Sequence, residues 1–151
     1  MIIYKANIKN KIQLTEYLKS VQDDFHPPLF DRIANRSTVS TIEDYVEKIL
    51  DNATILYTKD TENISGIIVI YYNNLEKREG YIPLLSVKKE YSGKGIAKLL
   101  VNAAVELAFE NGMNEIYVKT WLDNLAAKNV YQGLGFIIID ADKDLLFKKN
   151  R

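Results

Sequence analysis

Ser92-Gly93-Lys94-Gly95-Ile96-Ala97 joins an apolar, strand-like run, Ile82 to Val87, to a long helix pattern, Ile96 to Glu110. The two glycines stand where the strand must hand over to the helix. Glycine tolerates positive φ and lets the backbone approach a ligand closely, so a Gly-Lys-Gly turn can aim its N–H groups at an anion. No Ser, Thr, Asp or Asn immediately precedes Ile96, which leaves the first-turn N–H groups open to capping by a ligand oxyanion. Lys94 and Lys98 add positive charge nearby. Two readings fit the hexamer alone: a phosphate grip, or a tight turn that uses glycine only for shape. The spacing is neither that of a P-loop nor that of the dinucleotide Gly-x-Gly-x-x-Gly.

On the N-terminal side of this loop, Glu79 to Val87 reads as a strand interrupted by Pro83. Proline cannot donate to a ladder, so Pro83 predicts a bulge or a place where pairing stops. Thr54 to Thr58 and Ile64 to Tyr72, rich in Ile, Val and Tyr, read as a hairpin across Asp60 to Asn63, and Asn73-Asn74 as the start of the next turn. Further upstream, Met1 to Lys5 suggests a short edge strand. Gln13 to Gln22, Leu29 to Ala34 and the segment after Thr41 carry helical spacing, with Pro28 and Thr41 at two of the starts. Downstream, Asn111-Gly112 closes the long helix. Then follow a strand over Glu115 to Thr120, a helix over Asn124 to Gln132, and strands over Phe136 to Asp140 and Leu145 to Lys149. The order predicts a mixed α/β fold with helices on both faces of a sheet.

The composition narrows the function classes. The chain has 151 residues, a length that suits a single domain over residues 1–151. Lys plus Arg is 20 and Asp plus Glu is 20, so there is no polybasic tract and no support for nucleic-acid binding. The absence of cysteine excludes disulfides, thiolate zinc sites and a cysteine nucleophile, and one histidine excludes a histidine-rich metal site. No metal is expected. Apolar runs such as Ile67 to Tyr72 are too short to span a bilayer, and the N-terminus lacks the order of a signal peptide, so a soluble cytoplasmic protein without membrane contact is expected.

A second cassette, Asn124-Leu-Ala-Ala127-Lys-Asn-Val-Tyr131-Gln-Gly-Leu-Gly135-Phe136, places Asn124, Ala127 and Tyr131 near one helix face. Tyr131 can be a core aromatic or can point toward whatever lies beside the loop. Together the two motifs resemble those of the GNAT superfamily of N-acetyltransferases. In that family a strand leads into Arg/Gln-x-x-Gly-x-Gly/Ala and a long helix, followed later by Asn-x-x-Ala-x-x-x-Tyr-x-x-x-Gly-Phe. Gly95 and Ala97 match the small positions of the first pattern, and the second matches without a gap. Ser92 departs, standing where the family most often has Arg or Gln.

The resemblance implies a mostly antiparallel sheet of six to seven strands, splayed between the fourth and fifth, and acetyl-CoA as co-substrate. It implies that Leu85, Ser86 and Val87 hold the pantetheine arm. The pyrophosphate would lie on Ser92, Gly93, Lys94, Gly95, Ile96, Ala97 and Lys98, with Asn124, Ala127 and Tyr131 beside the arm. An amide at or near Leu85 would stabilise the oxyanion of the attacked thioester, and Tyr131 would protonate the leaving thiolate. A lysine-like amine, with a pKa of about 10.4, must lose a proton before attacking, which requires a base. Glu79, on one strand face with Tyr81, is the candidate; a solvated residue at the strand start is the alternative. His26 and Phe30 in the proline-stiffened segment after Phe25, with Tyr81 and Trp121, are candidate acceptor contacts; each also reads as ordinary loop or packing. The expected partner is a small-molecule or peptide amine, and the expected assembly a monomer or a homodimer. A CoA-binding module that has lost transfer is the alternative to an enzyme.

Overall fold

The computed structural model describes residues 1–36 and 39–151; residues 37 and 38, within the Asp23 to Ser40 connection, lie outside the described part, as do the side chains of residues 35 and 36. Seven strands form one sheet in the order β1-β2-β3-β4-β5-β7-β6. They are β1 (Tyr4–Lys5), β2 (Thr54–Asp60), β3 (Asn63–Asn74), β4 (Glu79–Val87), β5 (Glu115–Trp121), β6 (Ile137–Asp140) and β7 (Asp144–Asn150). Every neighbouring pair is antiparallel except β4 and β5. The helices are α1 (Lys11–Val21), α2 (Leu29–Arg36), α3 (Ile42–Asn52), α4 (Ile96–Glu110) and α5 (Leu125–Gly133).

Strand alternation divides the core between two faces. Ile55 and Tyr57 of β2, with Ile67 and Val69 of β3, pack with α1, α2 and α3. Leu56, Ile68 and Ile70 point the other way, into a cluster with Ile96, Leu100 and Ala104 of α4. The apolar spacing of α4 puts Ile96, Leu100, Val101, Ala104, Val105 and Ala108 on one buried stripe, which accounts for its docking as a unit. At α3, the Thr41 hydroxyl accepts the Asp44 N–H at 3.0 Å, capping the helix where the sequence places its start.

At Pro83 the sheet changes. The β4–β5 ladder runs from Glu79 opposite Glu115 to Ile82 opposite Val118 and goes no further. On its other edge β4 slips: Tyr81 pairs with Tyr71 and Leu84 with Val69, so Ile82 and Pro83 together oppose Ile70. One extra residue in a strand reverses the facing of every side chain beyond it. Ile82 accordingly packs with the α4 cluster, whereas Leu84, two residues on, packs with the α1–α3 cluster. The strands beyond Pro83 part, as expected for a splay between the fourth and fifth strands.

Most boundaries shift by one or two residues from the sequence reading, and two of the shifts have a local cause. β1 is confined to Tyr4–Lys5, because its partner β2 loses regular register at Thr58/Lys59, opposite the point where β1 would extend. Asn73 and Asn74 finish β3 rather than start a turn: Asn74 pairs with Glu79, and the turn is closed by Arg78 N–H donating to Asn74 O at 2.8 Å.

Helix α4 lies unusually close to β3 at Gly66. A Cβ there would come within 2.8 Å of Ile96 Cγ2 and 3.2 Å of Leu100 Cδ1. Gly66→Ala must therefore displace the start of α4 or strain it, at a cost of about 1–3 kcal/mol. A lowered thermal midpoint, with weaker binding of any ligand held at the α4 N-terminus, is the expected result; a midpoint equal to wild type would show that the helix is not seated by this contact.

Candidate active site

The gap opened at Pro83 is the centre of three adjoining cavities. The smallest, about 50 Å³, lies in the gap itself, between Pro83–Leu85 on β4 and Val118–Trp121 on β5, with Tyr131 of α5 at its wall. A groove of about 440 Å³ leads away along Leu85 to Val87 and the Ser92–Lys98 loop. A pocket of about 480 Å³ opens on the other side, walled by Phe25, Tyr45, Tyr71 and Tyr81 with Leu29 and Ile33. Leu85, Trp121, Asn124 and Ala127 are common to gap and groove; Arg32 and Pro83 to gap and pocket; Phe25 to all three.

The groove ends at a site shaped for an oxyanion. Gly93 and Gly95 have φ of 78° and 80°, the left-handed region that disfavours side chains. A Cβ at either would have open space around it, so conformation rather than crowding selects glycine there. Gly95 is the N-cap of α4 and offers no capping side chain. The helix therefore begins with unpaired N–H donors and the positive end of its dipole turned to the groove mouth. Ser92 takes an internal role: its hydroxyl donates to Lys89 O at 2.7 Å, closing the short 3-10 turn Lys89–Tyr91 ahead of the loop. Tyr91 ties the same turn to the β2–β3 hairpin through its hydroxyl, which donates to Asp60 at 2.9 Å. The groove is mainly apolar and its end is rich in backbone donors, a combination that fits a pantetheine arm followed by a pyrophosphate.

The sequence-derived positions distribute unequally. Leu85, Val87, Ser92, Gly93, Gly95, Ile96, Ala97 and Lys98 line the groove; Lys94 does not, its ammonium standing 5.5 Å over the Tyr91 ring. Ser86 also borders the groove, but its hydroxyl bonds to the Tyr17 hydroxyl of α1 at 3.0 Å. The slip at Pro83 explains that direction. Asn124 caps α5, accepting the Ala127 N–H at 3.2 Å, and its amide donates to the Thr120 hydroxyl at 2.9 Å. Its side chain thus fixes the angle at which α5 leaves β5.

Tyr131 is buried between Phe136 and Phe147, with ring centroids 5.3 and 5.2 Å away. Burial first, and then the proximity of Tyr81, push its hydroxyl above the ordinary phenol range, so it stays protonated at neutral pH and acts as a donor. Glu79 stands elsewhere. It lies four residues up the strand from Pro83, about 13 Å of extended chain, and lines a separate depression beyond Tyr81.

Of the candidate acceptor contacts, Tyr81 lines the aromatic pocket and Trp121 lines the gap and the groove, whereas His26 and Phe30 line none of the three. Helical spacing gives the reason: Leu29 and Ile33 take the inward face of α2 and Phe30 the outward one. His26 is exposed and packs edge-on to Trp121 at 5.4 Å. The inward aromatic of that segment is Phe25, 5.9 Å from Trp121, and Arg32 lies 5.4 Å from the same ring while donating to His26 O at 2.6 Å. Phe25, Arg32, Tyr45 and Tyr71 are the wall residues that sequence reasoning missed. Tyr71 had a usable signal, since alternation puts it on the face of Ile67 and Val69.

Among the described residues no helix is long and apolar enough to cross a membrane, and no cluster of His, Asp or Glu is arranged to hold a metal.

Comparison with known proteins agrees with this geometry. Residues 15–136 match the acetyltransferase (GNAT) family. N-alpha-acetyltransferase 30 of Saccharomyces cerevisiae is 33% identical over 141 residues, spanning 90% of this chain and 76% of the relative. The protein of the same name from Schizosaccharomyces pombe is 44% identical over 57 residues, 38% of each chain. Over its whole length the fold is shared with a GNAT-family acetyltransferase from Streptococcus pneumoniae, at a TM-score of 0.76, 22% identity and 99% coverage of both chains. It is likewise shared with the PaiA N-acetyltransferase of Thermoplasma acidophilum, solved in complex with coenzyme A, at a TM-score of 0.75, 20% identity and full coverage of both. This chain belongs to the GNAT family of acetyltransferases, enzymes whose co-substrate is acetyl-CoA.

Proposed function

We propose that the chain, acting as one domain over residues 1–151 in the cytoplasm, transfers the acetyl group of acetyl-CoA to the free amino end of a polypeptide by direct attack within a ternary complex. The observation that carries this reading is the junction. A groove with backbone donors at its end and an aromatic pocket approach the same small gap from opposite sides, with Tyr131 at its wall. Acyl donor and amine can then occupy the protein together, so no covalent enzyme intermediate is required.

The amino end of a polypeptide suits a site without a strong base beside Tyr131. An α-amino group has a pKa of about 7.7–8.0, so roughly a tenth of it is already neutral at pH 7; a lysine amine at about 10.4 is almost wholly protonated. The 33% identical relative is itself named an N-alpha-acetyltransferase. The amine nitrogen attacks the thioester carbonyl, and the carbon–sulfur bond breaks as the amide forms. The proton that the nitrogen sheds, having become strongly acidic, balances the thiolate that leaves. Tyr131, raised well above a thiol's pKa of about 8.5, serves best as a hydrogen-bond donor to the departing sulfur rather than as the final source of its proton.

Tyr131→Phe keeps the ring between Phe136 and Phe147, so the fold survives. Turnover should fall by about 10²-fold with the KM for acetyl-CoA little changed. Steady-state thiol release measures both, and wild-type turnover would remove the hydroxyl from the reaction.

Gly95→Asp places a carboxylate at the open helix end, where its Cβ has free space and the left-handed φ costs about 1–2 kcal/mol, too little to unfold the domain. Calorimetry should show acetyl-CoA binding lost while circular dichroism stays native. Wild-type affinity in that variant would contradict an oxyanion site at α4. Tight acetyl-CoA binding with no thiol release across a panel of peptides and small amines would instead make the chain a CoA-binding module.

A further inference from the structure

The aromatic pocket does not end at Tyr81. A second depression of about 350 Å³ adjoins it and shares Tyr71, Asn73 and Tyr81 as a common wall. Glu79, Gly80 and Tyr117 form its far side. Tyrosine rings thus border a space with a carboxylate at one edge, and acetyl transfer as described makes no use of it.

The charges there do not cancel. Glu79 and Glu115 lie side by side in the parallel ladder. Glu115 is committed: it accepts the Tyr117 hydroxyl at 2.6 Å and the Lys148 ammonium at 3.3 Å, contacts that hold its carboxyl below the usual range. Lys148 also stands 5.9 Å from the Tyr117 ring centre, so its position is set by Glu115 and that ring. The Glu79 carboxylate forms no hydrogen bond or ion pair among the described residues. Arg78, its chain neighbour, turns away at a φ of 55° toward Gly112. Two carboxylates against one ammonium leave a net negative charge, carried at Glu79.

We propose that this depression is a subsite for a cationic side chain, lysine or arginine, borne by the acceptor polypeptide downstream of the amine that is acetylated. The subsite rests on the acceptor reading given above. Tyrosine faces attract a cation and cover the apolar stem that carries it, and Glu79 supplies the counter-charge. The four residue steps of β4 from Glu79 to Pro83 span about 13 Å, and an extended acceptor advances about 3.3 Å per residue, which places the cation three or four residues past the amine. Glu79 on this view selects the acceptor and moves no proton.

A peptide series tests it. The N-terminal residue is held constant while Lys, Gln or Glu is placed in turn at positions two to five, and each peptide is acetylated by wild type, Glu79→Gln and Glu79→Lys proteins. At one or two positions Lys should exceed Gln by roughly tenfold in kcat/KM, through KM. Glu79→Gln should abolish that preference with kcat on the Gln peptides near wild type, and Glu79→Lys should favour the Glu peptides. Preference retained in Glu79→Gln overturns the subsite. So does an equal loss on all peptides with lowered kcat and a shifted pH profile, which would make Glu79 a base. Peptides acetylated with no charge preference overturn the subsite and leave the acceptor reading standing; thiol release with small amines but with no peptide overturns both.

Discussion

One constraint organises this molecule: two parallel strands pair for four residues and then must stop. Pro83 has no N–H to give, and β4 takes in an extra residue at the same place, so its ladder with β5 ends at Ile82 and Val118. The gap that results is also a change of phase. Ahead of the slip Tyr81 faces the pocket under α2 and α3. Beyond it Leu85 and Val87 face the groove beside α4, while Ser86 is turned to bond Tyr17. A regular strand would put Tyr81 and Leu85 on one face, and a single strand could not then serve a pocket on one side of the sheet and a groove on the other.

The surrounding contacts hold the gap to a fixed width. Gly66 lets the Ile96 and Leu100 side chains of α4 settle directly against β3, so the start of the helix is located by the lack of a side chain on the strand at that point. Tyr91 fastens the turn before the glycine loop to the hairpin, and Asn124 fastens α5 to the end of β5. Tyr131 is wedged among Phe136 and Phe147, so the hydroxyl that it brings to the gap is carried by a ring with little freedom. The binding groups are therefore set in place before any ligand arrives, which lowers the ordering cost of binding.

Much of this was legible in the sequence, and what was not has physical causes. The glycine loop, the α4 stripe and the Asn124–Tyr131 spacing are local patterns, and local patterns survive folding; each is where the residues put it. Pro83 announced an interruption. The reversal of facing that it causes is invisible to a count of alternating positions, because both faces of β4 are covered and Ile82 and Leu84 are equally buried. The acceptor wall was the least legible part. Phe25, Arg32, Tyr45 and Tyr71 come from four separate segments that share no motif and meet only through tertiary packing. In the Phe25 to Phe30 stretch the residue types alone drew attention to His26 and Phe30, whereas the chain buries Phe25 ahead of α2 and the turn of α2 puts Leu29 inside. Gly66 carried no sequence signal at all, since its meaning lies in how near α4 comes.

The bare start of α4 has a thermodynamic corollary. Most helices carry their own cap, a side-chain oxygen that holds the first N–H groups whether or not anything is bound. This one begins at a left-handed glycine with nothing to offer. An oxyanion seated there completes the helix as much as it occupies a site, so part of its affinity is the free energy of securing the first turn, about 1 kcal/mol for a good cap. By linkage the same ligand stabilises the whole fold in proportion to its saturation. Occupancy and resistance to unfolding are, in this protein, two readings of a single equilibrium.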